Sequence, residues 1–147
     1  GKISKGNATD FTKKFAPVLA GLALSQLERL TRFNDQRLRN FRLYRNGLSG
    51  LNLNLPKSEG FYLRVPIRVE KKEKLMTFAK KRLIYLGDWY SSVIDPKGSA
   101  ELLGYQVGEC PQAEKASYEI LNLPTYPTMQ DEDIGKVIKA IKDYYEI

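Results

Sequence analysis

Apolar residues at Ala20, Leu24, Leu27, Leu30, Leu38, Phe41 and Leu48 recur at steps of three and four or their sums, and this spacing is the strongest constraint on the fold. It predicts one helix from about Val18 to Asn46. Pro17 suits the first turn of such a helix, where a missing N–H is no loss, and Gly47 suits the residue just past its end. A helix of about 30 residues is about 45 Å long, more than a small single-core domain covers with one element. Part of it is expected to extend toward something outside this chain.

Beyond Gly47 the signals become short and mixed. Residues 48–60 combine Gly, Asn, Pro and Ser with leucines and read as a loop. Phe61 to Val69 alternates, with Phe61, Leu63, Val65, Ile67 and Val69 on one face, which predicts a strand; Pro66 places it at an edge or a bulge. Lys71 to Leu83 reads as an amphipathic helix with Leu75, Phe78, Ala79 and Leu83 inward and Lys71, Lys72, Lys74, Lys80 and Lys81 on a solvated face. Leu83 to Trp89 is expected to form a short second strand turning at Gly87. From Tyr90 to Pro111 the chain is mostly loop, with a helical piece near Ala100 to Leu103. Ala113 to Tyr118 is helical, and Ile120 to Pro124 is a short strand stopped by proline. Thr128 to Asp131 resembles a capping box opening a last helix, with Ile134, Val137, Ile138, Ile141 and Tyr145 as its apolar stripe. The fold class is therefore α+β: a long N-terminal helix, then a small antiparallel or mixed sheet with helices packed on one face.

Composition narrows the chemistry. The 147 residues contain no histidine, which excludes a Ser-His-Asp or Cys-His nucleophile pair, a histidine-ligated metal and an imidazole proton shuttle. One cysteine, Cys110, builds no disulfide framework; it reads as a small buried hydrophobe in a reducing, cytoplasmic setting. The longest nearly apolar run, Phe15 to Leu24, falls well short of the roughly 20 residues of a membrane span. The opening Gly1-Lys2-Ile3-Ser4 has no signal-peptide pattern, so residues 1–16 are expected to be disordered or a cloning end, a cut into a longer chain.

Two clusters carry candidate chemistry. Arg29, Arg32, Arg37, Arg39, Arg42 and Arg45 crowd the long helix against Glu28 and Asp35, and the chain carries a net charge of +7. Such arginines neutralise phosphates or form a solvated, interface-making helix; their scatter around the helix favours the second. Gly87-Asp88-Trp89-Tyr90, followed by Asp95-Pro96, sets two aromatics and two carboxylates at the start of the long loop. They either line a ligand pocket or leave Trp89 as the anchor of the small core.

The residues also resemble a known family. Gly21-Leu22-Ala23-Leu24-Ser25-Gln26-Leu27-Glu28-Arg29-Leu30, with Arg37 and Tyr44 ahead of Leu48, is similar to the long helix of the DegT/DnrJ/StrS family of pyridoxal-phosphate-dependent sugar aminotransferases. Four further segments resemble that family in the same order: Tyr62 to Val69, Leu86 to Tyr90, Leu103 to Glu114, and Leu121 to Ile134. The resemblance implies the C-terminal part of a fold-type-I aminotransferase, an interdomain helix plus a small domain over residues 17–147, with the large cofactor domain absent. It implies pyridoxal phosphate in the intact parent and none on this chain alone, because Lys2, Lys5, Lys13 and Lys14 lack the Gly-rich setting of the family's Schiff-base lysine. No catalytic, cofactor-binding or metal residue is assigned. Trp89, Tyr90 and Asp95 are expected to approach a sugar-nucleotide substrate. Phe15-Ala16-Pro17 departs from the Met-Ser of many relatives, and Asp95 stands where many place a histidine. The expected parent makes amino sugars for polysaccharides or related glycans, is a homodimer joined through the long helix, and contacts neither nucleic acid nor membrane. The alternative is a self-standing basic module that binds an anionic partner such as nucleic acid.

Overall fold

A computed structural model describes residues 14, 16–95 and 98–146. The disordered segment or cloning end expected at residues 1–16, with Lys2, Lys5 and Lys13, lies outside the described residues apart from Lys14 and Ala16.

The long apolar period forms two helices, α1 (Pro17–Glu28) and α2 (Leu30–Gly47). At Arg29 the chain takes a tighter turn, its N–H donating to the Gln26 carbonyl three residues back at 3.1 Å. This corrects the single-helix expectation. Gly47 is the last residue of α2, not the one after it.

α2 feeds the core with Phe41, Tyr44 and Leu48, all fully buried. An extended segment follows. It leads to β1 (Arg64–Arg68), which pairs antiparallel with β2 (Ile120–Pro124) in the register Val65 opposite Leu123 and Ile67 opposite Leu121. Pro66 stands opposite Asn122, whose own N–H and carbonyl turn to the other side and bond Gly87 at 2.9 and 2.8 Å. The missing proline N–H thus costs the ladder nothing. The expected strand over Leu83 to Trp89 is reduced to this one bridge at Gly87. Because β2 is only five residues long, Phe61 and Leu63 have no strand to pair with and stay exposed.

Helices α3 (Lys72–Lys80), α4 (Pro111–Glu119) and α5 (Asp131–Tyr145) complete the α+β fold, with a 3-10 turn at Glu101–Leu103. Leu75 and Ala79 of α3 and Ile134, Val137 and Ile141 of α5 join Val65, Ile67, Leu121 and Leu123 in one apolar cluster. α5 packs against both α2 and α3. Two local expectations are corrected. Leu83 is 80% exposed with φ +60°, placed in the turn that ends α3 instead of on its inner face. The capping box of α5 is formed by Gln130 and Asp133, two residues later than the sequence placed it, each side chain accepting from the other's backbone N–H.

Hydrogen bonds tie α2 to the end of β2 and the residues just after it. The Tyr44 hydroxyl donates to the Pro124 carbonyl at 2.9 Å and Asn40 Nδ2 to the Tyr126 carbonyl at 3.2 Å. Burial pushes the Tyr44 phenol well above its ordinary pKa. Thr125 Oγ1 contacts the carbonyls of Tyr62 and Leu63 at 2.9 and 2.6 Å, holding the entry to β1 against the exit of β2.

Candidate functional site

The Gly87-Asp88-Trp89-Tyr90 segment is held by three separate elements. Gly87 lies flat against β2; a Cβ there would come within 2.9 Å of an Arg64 guanidinium nitrogen and 3.0 Å of Asn122 Cβ. A side chain there would have to displace the Arg64 guanidinium and crowd Asn122, so glycine suits this approach. Asn122 then reaches past Gly87, its Oδ1 accepting the Trp89 backbone N–H at 2.9 Å. One strand residue thereby fixes the segment through backbone and side chain together.

Asp88 is fixed from the other side. Lys72, in the first turn of α3, is 8% exposed and donates from Nζ to Asp88 Oδ1 at 2.6 Å and to the Ser117 carbonyl of α4 at 2.7 Å. This corrects the reading of Lys72 as a solvated lysine. It is a buried cross-link between α3, α4 and the candidate segment, and a buried ammonium needs such partners. A lysine at this position shows no sequence signal separating it from Lys71 and Lys74, since all three fall in one basic run.

The result is an exposed aromatic shelf. Trp89 is 57% and Tyr90 62% exposed, their rings near-parallel at 22° with centroids 6.4 Å apart. The Arg64 guanidinium sits 4.8 Å from the Trp89 centroid, in cation–π range, and steadies the indole from the β1 side. Trp89 therefore does not anchor the core. Flat, exposed aromatic faces suit a ligand that offers an apolar ring face. Asp95 is exposed at the end of a run of bends and makes no hydrogen bond or ion pair with a described residue. The structure thus unites Trp89 and Tyr90 and leaves Asp95 apart from them in its bonding. Arg64 and Asn122 escaped the sequence reading. Asn122 had a detectable signal, as the one polar residue within Ile120-Leu121-Asn122-Leu123.

The loop beyond carries its own lock. Glu114 Oε1 accepts from the Tyr105 hydroxyl and from the Gly108 backbone N–H, both at 2.6 Å, with Gly108 at φ +99°. These bonds hold the Glu114 carboxyl below its usual range and push the Tyr105 phenol up to about 12. Cys110, just before α4, is exposed, against the expectation of a buried thiol. On α2, Arg39 pairs with Asp131, while Arg42 and Arg45 both bind Glu59, at 2.6 and 2.7 Å. Hydrogen bonds from these two arginines lower the Glu59 carboxyl to about 2. Half of the arginine cluster is thus spent on intrachain pairs.

An exposed aromatic turn held by Asn122 and Lys72 beside a two-stranded antiparallel sheet of an α+β fold defines a class, and comparison with known proteins gives it a family. The sequence profile of the DegT/DnrJ/EryC1/StrS aminotransferase family matches residues 5–142. The chain belongs to that family. A pleiotropic regulatory protein of Geobacillus stearothermophilus is 33% identical over 79 residues, 54% of this chain and 21% of the relative. A UDP-N-acetyl-3-dehydro-alpha-D-glucosamine 3-aminotransferase of Acidithiobacillus ferrooxidans is 23% identical over 137 residues, 90% of this chain and 36% of that protein. DesV of S. venezuelae, solved with a ketimine intermediate, superposes with a TM-score of 0.79 at 22% identity, covering 87% of this chain and 36% of its own. The chain thus spans about a fifth to a third of the length of these relatives, and its fold is that of about a third of a fold-type-I aminotransferase.

Family membership implies pyridoxal phosphate, and the one buried lysine among the described residues is not free to form a Schiff base with it. The cofactor needs an accessible lysine, a carboxylate for its pyridine nitrogen and a cradle for its phosphate. Lys72 is the one buried lysine among the described residues, and its ammonium is already held by Asp88 and the Ser117 carbonyl. Among the described residues no helix is long and apolar enough to cross a membrane.

Proposed function

We propose that this chain is the C-terminal, substrate-facing part of a pyridoxal-phosphate-dependent sugar-nucleotide aminotransferase of amino-sugar or polysaccharide biosynthesis, catalytically incomplete by itself. The observation that carries the reading is the fixed, exposed Trp89–Tyr90 shelf in a chain of this family. In this reading Trp89 and Tyr90 lie against the apolar face of a sugar or base and exclude water from it. Asp95 accepts hydrogen bonds from sugar hydroxyls. Arg64, Asn122 and Lys72 hold the shelf in place without touching the ligand. The Acidithiobacillus relative is named for a UDP-linked sugar, which supports a nucleotide-linked substrate here. The parent is proposed to be a cytoplasmic homodimer joined through α1 and α2, with the cofactor lysine supplied outside the described residues. The pairing of Arg39, Arg42 and Arg45 within the chain favours this reading over a nucleic-acid module.

Trp89 is the sole tryptophan, so intrinsic fluorescence reports on the shelf directly. Titration with UDP-N-acetylglucosamine is expected to change Trp89 emission saturably, and Tyr90→Ala is expected to weaken the response. Emission unchanged at saturating ligand, or a response indifferent to Tyr90→Ala, contradicts the assignment.

A further inference from the structure

The other end of β1 carries a second concave surface. Arg64 and Arg68 are its terminal residues, separated by four strand steps or about 13 Å. Around Arg68 the surface encloses a groove of ≈ 800 Å³ between α3, α5 and the segment after α2. That falls within the roughly 300–1,000 Å³ typical of small-molecule sites.

Its floor is aromatic. Phe78 of α3 meets Tyr144 of α5 edge-on, centroids 5.4 Å apart, and Tyr145 meets Tyr144 edge-on at 5.2 Å. Tyr145 is 44% exposed, and neither tyrosine hydroxyl has a hydrogen-bond partner among the described residues.

One rim is cationic. Lys71 and Lys74, at the start of α3, face the groove with no carboxylate partner among the described residues. Lys115 adds a third ammonium, at 3.8 Å from Glu119. Arg68 is committed to Glu119 through bonds of 3.0 and 2.5 Å, so Glu70 is the one lining carboxylate left without a cation.

The other rim is amidic. Leu53 and Leu55 donate from N–H to the carbonyls two residues back, at 2.7 and 2.9 Å. These tight turns send Leu51, Leu53 and Leu55 against the core and leave Asn52 and Asn54 exposed on the groove, their amides without partners among the described residues.

We propose that this groove is a binding site for a nucleoside phosphate. A planar base stacks on the Tyr145 side of the floor, the phosphate oxygens take charge-assisted bonds from Lys71 and Lys74, and the Asn52 and Asn54 amides meet polar edges of base or ribose with both donor and acceptor. Free inorganic anion uses only the lysines; the aromatic floor and paired amides have no role for it. The proposal goes beyond the aminotransferase reading and shares no ligand-contacting residue with it.

The test is an amide-resolved NMR titration of the full chain with ADP, run beside inorganic phosphate and repeated in Trp89→Ala. ADP is expected to shift Asn52, Asn54, Lys74 and Tyr145 saturably, and to do so equally in Trp89→Ala. Lys71→Gln with Lys74→Gln is expected to weaken ADP about tenfold or more, as loss of charge-assisted bonds does. Tyr145→Ala is expected to weaken ADP but not phosphate. All four residues are exposed, so these variants keep the core intact. No saturable shift, equal affinity for phosphate and ADP, or shifts centred on Trp89 and Tyr90 overturns the proposal and leaves the shelf reading untouched.

Discussion

Glu114 shows what a single residue does in this chain. In sequence it is the last letter of a family-like segment running from Leu103, and nothing there says why Tyr105, Gly108 and Glu114 belong together. The structure supplies the reason: one carboxylate oxygen closes a loop by accepting from both. Such a bond spans the loop, so no periodicity announces it. Asn122 and Lys72 are alike in this respect, each defined by partners far away in sequence. Trp89 was half legible, since its type and place marked a site while its exposure decided between shelf and core. The Glu114 lock makes a pH prediction. Its carboxyl is held below the ordinary value, chiefly by the Tyr105 hydroxyl, so the stabilisation is present above the ordinary carboxylate pKa and is lost as pH falls through the lowered one. Tyr105, raised to about 12, keeps its contribution below the ordinary phenol pKa and loses it as pH rises through about 12. Tyr105→Phe is expected to move the Glu114 pKa upward, read by NMR titration of the side-chain carboxyl. A Glu114 pKa unchanged in that variant contradicts the lock.

At the scale of elements, periodicity located α2, α3, α5 and both strands because each buries one face in a common core. It failed where burial or local geometry intervened. The turn at Arg29 leaves apolar spacing intact, so one period ran through two helices. The alternation from Phe61 outlasts its strand, because β2 is too short to pair the first residues. By type and position Gly47 suits a helix stop, whereas its place reflects the closeness of α2 to α5. A Cβ at Gly47 would stand 2.5 Å from Ile138 Cδ1 and 3.1 Å from its Cγ2. Gly47→Ala is therefore expected to destabilise the fold by about 1–3 kcal/mol, the usual cost of overpacking. Adding Ile138→Val should return part of that loss in chemical denaturation. An unchanged denaturation midpoint for Gly47→Ala would show that the two helices do not meet there as described.

The whole molecule is asymmetric. The helices α2, α3 and α5 and both strands share a core, but α1 has no buried residue, and Val18, Leu19, Leu22, Leu24 and Leu27 are all exposed. Apolar surface of this extent marks a site of association. The apolar period calls for a helix reaching beyond its own core, and the uncovered α1 leaves a surface free for the proposed joining of domains and subunits. The isolated chain is expected to self-associate and to bind a hydrophobic dye. Leu22→Glu with Leu27→Glu is expected to abolish both while leaving the melting temperature nearly unchanged, since neither side chain contributes to the core. A monomer that binds no dye, by sedimentation and fluorescence, contradicts this. In the proposed arrangement the chain supplies the substrate side of an aminotransferase and takes its cofactor chemistry from elsewhere. Incubation with pyridoxal phosphate, borohydride reduction and peptide mass mapping test it most directly. Scattered, substoichiometric labelling of surface lysines is expected, and one stoichiometric adduct on a single lysine of this chain would contradict that arrangement.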